Sequence, residues 1–466
     1  MSSHAKAAEK FIANKERTAW HDQALYFVRE KRDRMANSVP EWEALREMAG
    51  QTKLHTITHL AYYLEMFERN ATANGIHVHW AKDAEEHNRI VYDIIHQHGG
   101  KKLVKSKSML AEECGLSPYL EARGIDAVET DLGERIMQFM QQPPSHIVLP
   151  AIHVKRQEVG EVFEKELGTE HGNSDPTYLT HAARRALREK FLGADISMTG
   201  VNFAIASSGA FVVCTNEGNA DMGTSFPKVH IAIMGMEKVI PDYDALALYV
   251  RLLARSATGQ PSTTYTSHYK KPIEGQEMHI VIVDNGRSEI LANAKHRAML
   301  KCIRCGSCIN TCPVYRRTGG YSYSYFIPGP IGINLGMLRS PREYAGNVSA
   351  CSLCHSCSNV CPVKVNLAEQ IYQWRQDLDR YGVADPNKKL MVKGMKMVMN
   401  SPGLFYAGIR AGRIATGILP RGMLYNSINA WGKGRELPQF APETFNALWK
   451  KGKVKPAKTI RKDKRL

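Results

Sequence analysis

The chain has no run of 18 or more apolar residues, so nothing in it reads as a membrane-spanning helix. Its opening, Met1 to Lys10, has no apolar segment of the secretory kind, and the expected compartment is the cytoplasm, where thiols stay reduced. No strand-like segment runs into G-x-G-x-x-G, and G-x-x-x-x-G-K-[ST] is absent, which removes support for a dinucleotide fold or a nucleotide hydrolase. H-E-x-x-H is missing too. Acidic residues are scarce in one region: residues 381–466 hold 18 Lys/Arg against 4 Asp/Glu. That region carries +14 of the overall +16, leaving +2 for residues 1–380. With 43% hydrophobic and 23% charged residues, a chain of 466 has ordinary globular composition and room for about three domains.

Cysteine outside two short runs is also rare. Cys114 and Cys214 sit in apolar surroundings and read as buried packing residues. The other eight form Cys302, Cys305, Cys308, Cys312-Pro313 and Cys351, Cys354, Cys357, Cys361-Pro362. Both runs read C-x2-C-x2-C-x3-C-P, the bacterial ferredoxin spacing for a [4Fe–4S] cube. Three closely spaced thiolates can wrap one cube from a tight loop. In two-cluster ferredoxins the fourth cysteine of each run ligates the other cluster. By that rule Cys302, Cys305, Cys308 and Cys361 hold one cluster, and Cys351, Cys354, Cys357 and Cys312 the second. A zinc knuckle would use paired C-x2-C, and a disulfide set suits small secreted domains. The expected chemistry is one-electron transfer through two [4Fe–4S] clusters, each adding roughly −2 of charge with its thiolates.

Upstream the pattern is helical and then alternating. Residues 7–50 are charged and helical, Pro40–Glu41 opens a further helix, and Leu54, Ile57, Leu60, Leu64 and Phe67 mark the buried stripe of a helix over 54–70. Strand-like segments follow at 76–81, 101–107, 124–131, 146–152 (HIVLPAI), 230–240 and 278–286, separated by helical ones, with a hairpin at 203–216. Strands alternating with helices predict an α/β fold with a parallel-rich sheet flanked by helices. The expected domains are an N-terminal helical region (1–70), the α/β domain (71–290), a helical two-cluster ferredoxin-like domain (291–382) and a basic C-terminal extension (383–466). The insert between Cys312 and Cys351, with YSYSYFIPGPIG, would cover the clusters and tune their exposure. Residues 450–466 read as disordered.

The strings HTITHLAYYLEMFERNATANGIHVHWA, VETDLGE, PSHIVLPAIH, LTHAARRALREKFLGADISMTGVNFAI, TNEGN, GGYSYSYFIPGPIG and both cysteine runs resemble the lactate utilization protein B family of bacterial L-lactate oxidation systems. The resemblance implies a lactate-utilization (LUD) domain similar to CoA-transferase and phosphosugar-isomerase sheets, a two-cluster domain, and partner subunits. It also implies an iron–sulfur electron-transfer subunit of a complex oxidising L-lactate to pyruvate. Relatives often read AETGS where this chain has Ala206, Ser207, Ser208, Gly209 and Ala210, so a glutamate is replaced by Ser207.

In open α/β sheets the crevice lies beyond the strand carboxyl ends. A tentative α/β pocket therefore comprises Lys105, Ser106, Lys107, Glu129, Asp131, Ser208, Asn216, Glu217 and Asn219, a seat for a carboxylate or phosphate or an ordinary set of polar loop ends. No catalytic residue is assigned. His55 and His59, and His77 and His79, share periodic faces, which fits solvent-facing or packed histidines better than a metal site. The basic tail suits acidic partner subunits, or peripheral contact with the inner face of a membrane on the way to a respiratory electron acceptor. Nucleic-acid binding rests on charge alone. The alternatives to an electron-transfer subunit are a self-sufficient 2-hydroxy-acid oxidoreductase using the α/β domain and a cluster-containing regulatory or nucleic-acid-binding protein.

Overall fold

Apolar runs followed by helix-capping residues become parallel strands, because each capped helix returns the chain to the same edge. The computed structural model describes residues 3–383, 386–425 and 440–454. Its strands are β1 (His77–Ala81), β2 (Lys102–Lys105), β3 (Asp126–Glu129), β4 (Ile196–Gly200), β5 (Phe203–Ile205), β6 (Ala210–Thr215), β7 (Val229–Gly235), β8 (Val239–Ile240), β9 (Tyr265–Tyr269) and β10 (Glu277–Val283). Six of them form a wholly parallel sheet in the order β1-β10-β7-β4-β2-β3. All seven residues of central β7 are buried, as a strand covered on both faces requires. Asp83, Ser108 and Asp131 cap the helices that leave β1, β2 and β3, so the polar loops gather at the strand carboxyl ends.

A second, four-stranded sheet has the order β8-β5-β6-β9, with β5 and β6 as the expected hairpin. The segment 230–240 therefore serves both sheets. It leaves the first at Gly235, makes a short turn over Met236–Lys238, and enters the second as β8.

Two expectations fail locally. HIVLPAI is not a strand; 146–152 is a turn-rich loop. Ser145 donates its N–H and hydroxyl to the Pro150 carbonyl, and His146 Nδ1 accepts the N–H groups of Val148 and Leu149, 3.0 Å each. Those bonds close the loop on itself, and Pro143, Pro144 and Pro150 remove donors a ladder would need. The helix over 54–70 is broken at His59 into Trp42–Thr58 and Leu60–Ala73, and Leu54 is exposed rather than part of the buried stripe. Thr52, Thr56 and Thr58 bond back to carbonyls four residues earlier, a habit that bends helices.

The N-terminal helices grip the cysteine segments. Arg46 donates to the Cys361 carbonyl from Nε (3.0 Å) and Nη2 (2.9 Å), and Arg32 Nη2 to that of Val360 (3.2 Å). Residues 3–383 form one compact unit. In the second unit, helices Pro386–Met399 and Pro402–Ile418 expose Leu390, Met395, Met397, Met399 and Ile418. Most of the segment expected to be disordered, 455–466, lies outside the described residues.

Gly209, at φ +67°, turns the β5–β6 hairpin against helix Leu60–Ala73, where an added Cβ would collide with the backbone of Asn70 and Ala71. Gly115 has a similar φ of +62° but nothing nearby. Gly209→Ala should cost about 2–5 kcal/mol in urea unfolding and Gly115→Ala about 1 kcal/mol, the difference reporting the close approach.

Candidate metal centre and adjoining cavity

The two cysteine loops use the same backbone device at equivalent positions. Arg304 (φ 60°) and Leu353 (φ 55°) stand two residues after the first cysteine, and Gly306 (φ 75°) and His355 (φ 61°) four residues after it. Left-handed backbone costs a non-glycine residue about 1–2 kcal/mol, so three such residues mark a conformation enforced by its surroundings. It turns N–H groups toward sulfur: Arg304 donates to Cys302 Sγ (3.4 Å) and Leu353 to Cys351 Sγ (3.3 Å). The fourth cysteines accept similarly, Cys312 from Tyr315 (3.5 Å) and Cys361 from Val365 (3.4 Å).

Short helices Ser307–Asn310 and Ser356–Val360 pack together and interleave the runs. Cys305 lies within electrostatic reach of Cys361 and Cys302, and Cys312 within reach of Cys351 and Cys354. Cys357 feels Cys312, Cys351 and Cys354, while Cys308 feels both its own run and Cys357. Burial and neighbouring thiols push Cys357 up to about 12 and Cys308 well above the usual thiol range. Such a knot of buried sulfurs cannot ionise without a cationic core among them, so the donor set fits iron–sulfur cubes. Cys354 is exposed and Cys351 partly so, whereas Cys305, Cys308 and Cys361 are buried.

Cations surround the deeper group. Lys53, 2% exposed, donates to the Glu237 and Val239 carbonyls, and burial pulls its pKa down to about 7. Burial likewise lowers Lys238 to about 8. Both sense Cys302, as does Arg304. The Glu237 carboxylate joins Arg304 (3.6 Å) to Arg287 (2.5 Å), which reaches Glu113 (2.9 Å). Burial works to raise Glu237, yet Arg287, Arg304 and Lys238 hold it down at about 2. On the other group, Arg375 lies near Cys351. Tyr323, fully buried in the insert, lies against Cys312.

A cavity of about 480 Å³ opens at the carboxyl ends of β2, β4, β6 and β7 and reaches Arg304 and Cys305. The misread loop 146–152 forms one wall, held to the cysteine helix by His146 Nε2 and Asn310 Oδ1 at 2.9 Å. Of the tentative pocket residues, Ser106, Lys107, Asp131, Asn216 and Glu217 line it. Lys105, Glu129 and Asn219 lie behind the lining. Lys105 pairs with Glu129, and Asn219 donates to Thr130 Oγ1 at 3.2 Å. Burial raises Glu129 to about 7 despite Lys105. Ser208 belongs to the remote β5–β6 turn, beside exposed Ser207, and faces no part of the cavity. Sequence reading missed Asn202, Lys238, Arg287 and Arg304 in the lining, and Cys214, taken for a packing residue, lines it as well. The loop beyond β7, ending in Lys238, was a signal available by the same strand-end rule. Four lining atoms are buried without hydrogen-bond partners, Ser106 Oγ, Lys107 Nζ, Thr215 Oγ1 and Arg304 Nη1, though Lys107 Nζ lies 3.3 Å from the Glu134 carboxylate as an ion pair. Ser106 is 4% exposed.

Comparison with known proteins agrees with this architecture. Family models match in succession: LUD domain over residues 64–291, 4Fe-4S dicluster domain over 298–365, and lactate utilisation protein B, C-terminal, over 382–454. Lactate utilization protein B of Geobacillus thermodenitrificans is 42% identical, covering 87% of each chain. The chain belongs to the lactate utilization protein B family. The protein of that name from Bacillus pumilus is 40% identical over 91% of each chain. An electron transport protein of Escherichia coli, YkgF, otherwise uncharacterized, is 39% identical over 92% of each. Membership and the dicluster match give this chain iron–sulfur clusters and an electron-transfer role. Among the described residues no helix is long and apolar enough to cross a membrane.

Glu217 is exposed as a residue, but desolvation of its carboxyl at the cavity mouth and the nearby Asp131 raise it to about 7. A raised carboxyl holds its proton after the unfolded chain has lost it, so stability falls as pH rises from about 4.5 toward 7. Glu217→Gln should remove that part of the decline, measured as unfolding free energy between pH 5 and 7; an unchanged slope would assign it elsewhere.

Proposed function

We propose that this chain is the iron–sulfur subunit of a complex that oxidises L-lactate to pyruvate, passing electrons from a partner's redox centre toward the respiratory chain. The interleaving of the two cysteine runs carries the reading. Cys302, Cys305, Cys308 and Cys361 hold one [4Fe–4S] cluster; Cys351, Cys354, Cys357 and Cys312 hold a second. Such clusters, when bound, take up or release one electron at a time. The chain's own residues set the difference between them. Lys53, Lys238 and Arg304 place positive charge beside the deeper set, while exposed Cys354 brings the other within reach of a docking partner. Residues 1–70 clamp the cluster segment, 71–290 form the LUD domain, 291–382 the two-cluster domain, and 383–466 a basic extension that docks acidic partner subunits or the inner face of the membrane. Nucleic acid has no part in this scheme.

The cavity favours a second role for the LUD domain, binding a small organic acid. Lys107, Lys238 and Arg304 offer positive charge to a carboxylate, partly offset by Glu134 beside Lys107 (3.3 Å) and Glu237 beside Arg304 (3.6 Å), and Ser106 Oγ and Thr215 Oγ1 offer hydrogen bonds to a neighbouring hydroxyl. A 2-hydroxy acid has both groups. Ser207, where relatives often carry glutamate, is remote from this cavity, so that replacement does not alter it.

The ligand crossing is testable by iron and sulfide counts on anaerobically prepared chain. With Cys351, Cys354 and Cys357 all changed to Ser, about four iron atoms should remain. Adding Cys361→Ser should abolish them, and adding Cys312→Ser should not; the reverse pattern would show uncrossed runs. With partner subunits present, L-lactate should produce the paramagnetic signal of reduced clusters. Lys107→Met should weaken that response without changing iron content if the organic acid binds in the cavity. Clusters that L-lactate never reduces in the assembled complex would overturn the lactate assignment. Turnover of L-lactate by the chain alone with an artificial acceptor would make the LUD domain the oxidoreductase.

A further inference from the structure

Histidines cluster at the end of the parallel sheet opposite the cavity, and the function above does not use them. His279 on β10 faces His77 across the β1 pairing, with rings stacked 4.9 Å apart. His79 Nε2 lies 3.1 Å from His279 Nδ1. Glu277, two residues earlier on β10, shares that face. His98 caps the end of helix Ala84–Gln97 directly above. Its Nε2 lies 3.4 Å from Glu277 Oε2, and His279 Nε2 lies 3.6 Å from the same oxygen. One ligand atom from each of the three lies within 4.8 Å of the others.

We propose that His98, Glu277 and His279 form a site for a divalent transition metal of the zinc class, with a fourth position open to solvent. Zinc bonds nitrogen and carboxylate oxygen at about 2.0–2.1 Å in tetrahedral geometry, which sets neighbouring ligand atoms about 3.3 Å apart. The two contacts to Glu277 are already close to that spacing. The donor set excludes calcium and magnesium, which take oxygen ligands. The deciding observation is His279 itself: the residue is 7% exposed, and its Nε2 is buried with no hydrogen-bond partner. A buried ring nitrogen without a partner is costly. When Nδ1–H donates to His79 Nε2, the Nε2 lone pair is left facing Glu277 and His98, the second-sphere arrangement that orients metal-bound imidazoles. Glu277 and His98 are exposed, so an ion has a path in. Once bound, it would pin the helix end to the sheet.

The test uses the full-length chain carrying its iron and sulfide, dialysed anaerobically against chelator-buffered zinc. Wild type should retain one zinc per chain. Glu277→Gln and His98→Ala, both exposed and tolerable to the fold, should each weaken zinc binding roughly tenfold or more, with iron and sulfide unchanged. The zinc X-ray absorption edge should report only nitrogen and oxygen neighbours at about 2.0–2.1 Å. Three results would overturn the site: no zinc retained, equal retention by wild type and both variants, or sulfur at about 2.3 Å, which would put zinc among the cysteines.

Discussion

The Glu237 carboxylate is the joint on which the larger unit turns. It sits at the end of β7, 2% exposed, where the chain passes from one sheet to the other. It holds Arg287 from beyond β10 and Arg304 from inside the first cysteine run, while its own carbonyl accepts Lys53 from the N-terminal helices. Three parts of the sequence, more than 200 residues apart at the extremes, therefore meet at one residue. Buried ion pairs add little net stability, but removing one member leaves an uncompensated charge that typically costs about 3–5 kcal/mol. The joint thus works as a constraint on geometry. It fixes the Arg304 side chain while the left-handed backbone of the same residue turns its N–H onto Cys302.

That constraint gives the two sulfur sets different surroundings. The deeper set lies among Lys53, Lys238, Arg304 and Lys301, and the other lies near Arg375 and the surface. Nearby positive charge and burial both act on the potential of an iron–sulfur cluster, in senses that depend on net cluster charge. Positive charge favours the reduced, more negative state; removal of solvent opposes it. The buried lysines show the balance locally. Burial alone would strip their protons, and nearby acidic groups, Cys302 and Glu237 among them, act to restore them. Thiolates carrying a bound cluster would strengthen that restoring effect, so cations and sulfur sites stabilise each other.

The sequence was most legible where chemistry imposes spacing. The cysteine runs stood out because a cube accepts few loop geometries, and the parallel strands because capped helices punctuate them. The loop 146–152 misled because an apolar run of seven residues looks alike in a buried strand and in the wall of a cavity; only the bonds closing it on itself distinguish the two. Ser106, Lys107, Asp131, Asn216 and Glu217 could be found as loop residues near strand ends. Lys105, Glu129 and Asn219 follow the same pattern, but their partners turn them inward. Lys238 and Arg304 were hidden for another reason. Each belongs to a segment read for a different purpose, one as strand and the other as spacer between cysteines. The histidines show the same limit. His77 and His79 alternate visibly, but their companions come from positions 98 and 279, and no local period announces a meeting of distant strands.

The parallel sheet explains why these features do not interfere. Its strand ends are inequivalent: helix N-termini and polar loops crowd the carboxyl ends, where the cavity meets Cys305. The amino ends receive helix C-termini, and there the histidines gather beside His98. The seven residues of β10 separate the two ends by roughly 20 Å, with apolar strands filling the distance. Between them the sheet is mostly apolar, with Thr199 and His230, 2.7 Å apart, among its few buried polar groups. Chemistry at the cavity and events at the histidines are therefore separable by mutation, since each depends on side chains from its own end of the same strands.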